Sequence, residues 1–237
     1  MTTRASTPIS FRLVLAAVWC ALAGQCFFGS ATAFAQTTNS AAFENEILAF
    51  EAADKTNPPP KGAILFVGSS SIRLWKTLAA DFPEQRVINR GFGGSQISDS
   101  VRFASRIVLP CQPRQIVFYA GGNDINGGKT PETVAADFRR FVGIVHAALP
   151  KTRISYISIA PNPARWSQVE RVRAANRLIQ EFTGRDPRLA FINAFPHMLG
   201  EDCQPKPDLF VADRLHMNEK GYALWRGIVR AYLASRE

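Results

Sequence analysis

Short, largely apolar runs alternate along this chain with longer stretches whose apolar residues recur at helical spacing. The apolar runs are Ala63-Ile64-Leu65-Phe66-Val67, Val87-Ile88, Gln115-Ile116-Val117-Phe118-Tyr119-Ala120, Ile154 to Ile159 and Leu189 to Ile192. Each predicts a strand, and Ala63–Val67, which has no polar residue, predicts one buried on both faces. Between them, helices are predicted over Ala42–Ala53, Ser71–Leu78, Ile97–Ile107, Thr130–Ala148, Trp166–Phe182 and Asn218–Ser235. Pro131 in the first turn of the fourth of these, and Asn57-Pro58-Pro59-Pro60 after the first, are the expected start and stop signals. Strand–helix alternation of this kind predicts a five-stranded parallel sheet with helices on both faces, an α/β fold. In such sheets ligands bind at the carboxyl ends of the strands. No internal repeat and no second domain are visible.

The amino terminus breaks this pattern. Met1–Arg12 carries Arg4 and Arg12 and no acid, and Leu13–Gly29 is apolar apart from Gln25. Ala33-Phe34-Ala35 then precedes Gln36, the small-x-small form of a signal-peptidase site. The apolar run is short for a membrane span, which needs about 18 unbroken residues. The expected organisation is a signal peptide over 1–35, a linker and amino-terminal helix over 36–60, and the main folded domain over 61–237. Export to the periplasm or the medium, without stable membrane insertion after cleavage, follows. Removing 35 residues with two basic side chains and no acid leaves 202 residues at a formal +7, from 237 at +9.

Export implies an oxidising compartment. Only Cys111 and Cys203 then remain. One precedes a strand and the other lies in a late loop, at opposite ends of the sheet. A bridge needs Cα atoms within about 7 Å, so two separate thiols are expected. There is no Cys-x-x-Cys and no paired histidine, so neither a metal nor another cofactor is expected. The positive charge is scattered, with Arg102, Arg106, Arg139, Arg140, Arg173 and Arg177 at the spacing of solvated helix faces. No interleaved aromatic–basic groove suggests nucleic acid.

Four short islands carry the candidate chemistry. Gly68-Ser69-Ser70-Ser71, Asn89-Arg90-Gly91-Phe92-Gly93-Gly94 and Gly121-Gly122-Asn123-Asp124 each follow a strand, and Asp213-Arg214-Leu215-His216 precedes the last helix. The predicted topology brings all four to one sheet edge. A serine at the first turn is a candidate nucleophile, and local sequence leaves Ser69, Ser70 and Ser71 open. Gly94 lets a backbone N–H approach a developing oxyanion, and the Asn123 amide is a second donor. Asp213, three residues before His216, can orient a ring that takes the serine proton. His146 falls inside a helix, and His197, after the fifth strand, is the alternative base. Trp75, Arg165 and Trp166 are expected to line the crevice.

At these residues the chain resembles the SGNH hydrolases, also called the GDSL esterases and lipases, over Ala63 to Trp225. Gly68-Ser69-Ser70-Ser71-Ile72-Arg73-Leu74-Trp75 is similar to the family's first block, and anchoring on Gly68 and Trp75 selects Ser70. The pattern looks closest to the branch of the platelet-activating-factor acetylhydrolase subunits. The resemblance implies a flavodoxin-like, three-layer α/β/α fold and metal-free hydrolysis of carboxylic esters. It implies Ser70, Asp213 and His216 as the catalytic set, and Ser70, Gly94 and Asn123 as the oxyanion hole. The substrate would be a small-molecule, glycan or lipid ester, with short acyl chains favoured because no long apolar lid is evident. Oligomeric state is not legible. One residue departs from the family: Ser69 stands where Asp is usual. An acyltransferase, or a silent module that binds acylated glycan or lipid, are the rival readings.

Overall fold

The computed structural model describes residues 40–233. The predicted signal segment and its cleavage site lie outside the described residues. Five strands form the sheet: β1 (Ile64–Gly68), β2 (Val87–Gly91), β3 (Gln115–Tyr119), β4 (Arg153–Ile157) and β5 (Leu189–Ile192). They lie in the order β2-β1-β3-β4-β5, and every pair is parallel. Eight helices accompany them among the described residues: α1 (Ser40–Thr56), α2 (Ser70–Arg73), α3 (Leu78–Asp81), α4 (Ile97–Ile107), α5 (Gly122–Asn126), α6 (Pro131–Ala148), α7 (Val169–Thr183) and α8 (Glu219–Arg230).

The continuous apolar runs work as two interleaved sets. In β1, Leu65 and Val67 face one side and Ile64 and Phe66 the other; in β3, Ile116 and Phe118 oppose Val117 and Tyr119. The two-residue period of a strand produces this split. On the first face pack α1, α4, α6 and α7, through Ile47, Phe103, Phe138, Phe141 and Ile179. On the second pack α2, α3 and α8, through Ile72, Leu78, Trp225 and Val229. The result is the expected three-layer α/β/α sandwich.

Three predicted helices differ from what forms. The stretch 71–78 makes two short helices, α2 and α3, instead of one. Trp75 between them is 1% exposed and is packed among Phe66, Phe82, Tyr222 and Trp225. Asp81 accepts from its indole N–H at 2.7 Å and from the Thr77 hydroxyl at 2.7 Å, which shapes the second helix around the buried ring. Trp75 is therefore core, not crevice lining. The helix predicted from Trp166 starts at Val169. Pro163–Gln168 is a 3₁₀ segment broken at Arg165, whose backbone (φ −125°, ψ 25°) leaves the helical region. The last helix begins one residue later than predicted because Asn218 is its cap, accepting from the Gly221 N–H at 3.2 Å.

Helix α1, set apart with the linker in the sequence, is bound into the sandwich. Ile47 is fully buried, Phe43 meets Phe92 edge-on, and Glu44 and Glu51 both pair with Arg106. Arg90 at the end of β2 pairs with Asp54. Cys111 is buried and Cys203 exposed, and both are free thiols.

Candidate active site

The register of the sheet aligns the exits of three strands. Gly68 pairs with Gly91 on one side and with Tyr119 on the other, so the first three islands leave the sheet side by side. Gly68 holds φ +140°, and the chain turns sharply there out of β1. The Ser69 N–H stays on β3 by donating to the Tyr119 carbonyl at 3.0 Å. Ser70 is then the first residue of α2, half-buried at the edge of the crevice. The first N–H groups of a helix have no partner within it, so that of Ser70 is free to meet a ligand.

The fourth island arrives from the far end of the chain. Arg214, at φ +58°, turns the segment between Asp213 and His216 back on itself. The Arg214 carbonyl accepts from the Ala164 N–H at 3.1 Å, which ties this loop to the segment after β4. Phe210 and Met217 bridge across its base. The outcome is a relay: Ser70 Oγ lies 3.0 Å from His216 Nε2, and His216 Nδ1 lies 2.6 Å from Asp213 Oδ2. The other carboxylate oxygen, Oδ1, accepts the backbone N–H groups of Leu215 and His216, each at 2.9 Å. The hydrogen bond from the His216 ring, opposed by a little burial and helped by these two N–H groups, holds the Asp213 carboxyl down at about 2. It is an anion across the working range of pH, and it fixes the ring nitrogen facing it as the N–H. Nε2, facing Ser70, is left as the acceptor.

Gly94 and Asn123 stand together opposite. A Cβ on Gly94 would meet Asn123 Nδ2 at 3.7 Å. Asn123 opens towards the crevice from α5, a single turn too short to show as periodicity in sequence. Its Oδ1 accepts from Arg165 Nη1 at 2.9 Å and its Nδ2 donates to the Ser95 carbonyl at 3.2 Å. A guanidinium can only donate. Arg165 thus sets which end of the Asn123 amide is oxygen, and keeps the NH₂ on the Gly94 side.

Sequence reasoning missed the groups that hold these donors. Gly93 (φ +37°) sits under Phe43 of α1, where a Cβ would come within 2.7 Å of Phe43 Cδ1, and its N–H donates to Glu46 at 3.2 Å. Asp124, fully buried, accepts the Ile97 N–H with both oxygens at 3.2 and 3.1 Å and pairs with Lys129 at 3.0 Å. Burial pushes its carboxyl up and Lys129 opposes this. The contact joins the start of α4, and so the Gly94 loop, to the residue after Asn123. An acid next to Asn123 was visible in sequence, but its partner on another island was not.

The crevice between these groups is about 40 Å³. It is lined by the three serines, Tyr119, Gly122, Asn123, Arg165, Leu215 and His216, among others. Arg165 therefore lies where the sequence placed it. Trp166 does not line the crevice; it lines an adjoining hollow of about 10 Å³ with Phe195 and Val172. His197 is exposed, away from the serine, and its carbonyl accepts from Lys206. His146 bonds the Thr152 carbonyl through Nε2 at 3.0 Å, a structural role.

Comparison with known proteins agrees with this architecture. Residues 65–224 match the model of the GDSL-like lipase/acylhydrolase family. A protein from Streptococcus pneumoniae, provisionally described as a platelet activating factor, superposes with a TM-score of 0.74 at 20% identity, over 82% of this chain and 94% of its own. A GDSL-like lipase from Bacteroides thetaiotaomicron gives 0.69 at 18%, over 78% and 96%. A carbohydrate esterase of family 3 from Talaromyces cellulolyticus gives 0.57 at 16%, over 71% and 94%. At these identities the superpositions establish the fold. The search of curated proteins found no match.

Proposed function

The chain belongs to the GDSL-like lipase/acylhydrolase family and is a carboxylic ester hydrolase, and on that footing we propose that it is an exported serine esterase for short-chain acyl esters. The observation that carries the mechanism is the unbroken relay from Ser70 Oγ through His216 to Asp213, at 3.0 and 2.6 Å.

Ser70 Oγ attacks the ester carbonyl carbon as its proton passes to His216 Nε2. Asp213, ionised, stabilises the imidazolium that forms. The carbonyl oxygen, now negative, is met by the N–H groups of Ser70 and Gly94 and by the Asn123 amide. The tetrahedral species collapses, the C–O bond to the alcohol breaks, and the alcohol leaves with the proton from His216. Water, deprotonated by His216, then attacks the acyl-enzyme; the acid departs and Ser70 regains its proton.

The small crevice supports short acyl groups. The assay is release of p-nitrophenol from acetate and butyrate esters. Asn123→Ala is expected to lower kcat by about 10²- to 10³-fold with a smaller change in KM, the usual consequence of losing one oxyanion donor. A kcat within threefold of wild type would remove Asn123 from the oxyanion hole. A folded wild type that releases nitrophenol only when an alcohol is added, and yields the new ester in place of the free acid, would replace hydrolysis by transfer.

Export rests on Arg4, Arg12, the apolar run and Ala33-Phe34-Ala35. The protein recovered outside the cytoplasm should begin at Gln36 on amino-terminal sequencing. Recovery of an uncleaved chain from the cytoplasm would overturn that part of the reading.

A further inference from the structure

Among the described residues, Arg165 is the one fully charged side chain that lines the crevice. No Asp or Glu lines it with Arg165, and among the described residues Arg165 forms no ion pair. Its position is built. The Asn162 side chain accepts the Arg165 N–H at 2.9 Å, and the break in the 3₁₀ segment turns the residue towards Asn123. Only Nη1 is engaged, with Asn123 Oδ1 at 2.9 Å and the Gly122 carbonyl at 3.3 Å. Nε and Nη2 have no acceptor in the described residues. Two carbonyl-type oxygens orient a guanidinium, but they do not neutralise it.

Partial burial lowers the Arg165 pKa, and no carboxylate offsets that cost. A charge withdrawn from water is normally paired. The two buried cations among the described residues keep that rule: Arg90 has Asp54, and Lys129 has Asp124 and Asp137. Arg165 departs from it beside the nucleophile, with a fork of donors left over. A guanidinium fork is suited to two oxygens of a carboxylate.

We propose that Arg165 is a substrate-anion anchor, and that the preferred ester carries a carboxylate a few bonds from the scissile carbonyl. This rests on the esterase reading for the site but makes a separate claim about the charge of the ligand. The anion completes the pairing that the protein leaves open, and it does so where the carbonyl enters the oxyanion donors. Binding of the charged group and placement of the reacting one are thereby coupled through Arg165 and Asn123.

The test uses two matched pairs of esters, followed by acid release in a pH-stat. Monoethyl succinate against ethyl butyrate puts the charge on the acyl side. Acetoxyacetate against 2-methoxyethyl acetate puts it on the alcohol side. The wild type should favour the charged member of at least one pair by about tenfold or more in kcat/KM, the scale of a charge-assisted hydrogen bond. Arg165→Gln keeps a donor for Asn123 without the charge and should abolish that preference while still hydrolysing the neutral ester. Arg165→Lys should retain part of it. Preference for the neutral member in both pairs, or an equal loss on charged and neutral esters in Arg165→Gln, would overturn the proposal and leave Arg165 as a positioning residue for Asn123 alone.

A binding measurement separates this from the hydrolase reading. In the Ser70→Ala protein, monoethyl succinate should bind about tenfold tighter than ethyl butyrate by calorimetry, and adding Arg165→Gln should remove the difference. Tighter binding with no turnover of any ester by wild type would uphold the anion site and sink the esterase. Equal binding of the two would sink the anion site whatever the turnover.

Discussion

Ser70→Ala is expected to lower kcat for p-nitrophenyl acetate by about 10⁴-fold or more, the scale seen when a serine hydrolase loses its nucleophile. His216→Ala should fall as far, and the double variant should be no slower than either single one. Nucleophile and base act as a unit, so removing the second after the first costs little. The three consecutive serines make the comparison sharp. Ser69 is 5% exposed and is held by its backbone to Tyr119. Ser71 accepts the Tyr222 hydroxyl through its carbonyl at 2.9 Å. Of the three, only Ser70 has its hydroxyl on His216. Ser69→Ala and Ser71→Ala should therefore keep kcat within about tenfold of wild type, below the loss expected for any direct catalytic group. Active Ser70→Ala with dead Ser71→Ala would move the nucleophile by one residue and discard the relay described above. Reaction of wild type, but not Ser70→Ala, with a phosphonate ester would give the same assignment by mass.

Gly68→Ala should be the most damaging single methyl added to this protein. A Cβ there would stand 2.6 Å from the Tyr119 carbonyl carbon and closer still to its oxygen. Neither group can yield, because Tyr119 is the paired end of a central strand and Gly68 is its register partner. The backbone itself, at φ +140°, is one that an L side chain resists. Loss of about 4 kcal/mol or more is expected, among the rare large effects of a point change. For a domain of this size that is a fall of roughly 10 °C in Tm. Gly143→Ala is the control. Gly143 lies in α6, and a Cβ added there would have nothing within 4 Å. It should be neutral or stabilise by about 0.5–1 kcal/mol through helix propensity. If Gly68→Ala melts within 2 °C of wild type, by the same conversion about 1 kcal/mol, the sharp exit from β1 is not a fixed feature of the fold.

The departure at Ser69 fits into this geometry. The family's usual Asp would place a carboxylate at a buried position. Here the loop is held by other means: the Ser69 N–H on Tyr119, the Ser69 carbonyl on Ile72 and Arg73, and the Phe92 N–H on the Gly68 carbonyl at 3.0 Å. Backbone bonds anchor the turn, so the small side chain does not leave it unsupported.

The amino-acid sequence by itself determined the layering of this protein. Unbroken apolar runs such as Ile64–Val67 and Ile116–Phe118 can only be buried on both faces, which requires helices above and below a parallel sheet. It also determined which residue types could carry ester chemistry, because the motif residues follow strands and parallel strands gather their exits at one edge. Element ends that depend on local signals, such as Ile97–Ile107, were legible for the same reason. What only the tertiary structure decided depends on contacts between segments far apart in the chain. Trp75 reads locally as part of a helix beside the serine, yet the aromatic cluster of Phe66, Phe82, Tyr222 and Trp225 draws it inward and splits that helix. That the His216 ring, and not that of His197, comes within hydrogen-bond reach of Ser70 depends on the loop that Arg214 turns at its positive φ and ties to Ala164. Glu46, Asp124 and Arg165 gain their meaning from Gly93, Ile97 and Asn123. Periodicity and motif spacing report local geometry. A hydrogen bond between two loops is set by how the whole sandwich packs, and no spacing along the chain encodes it.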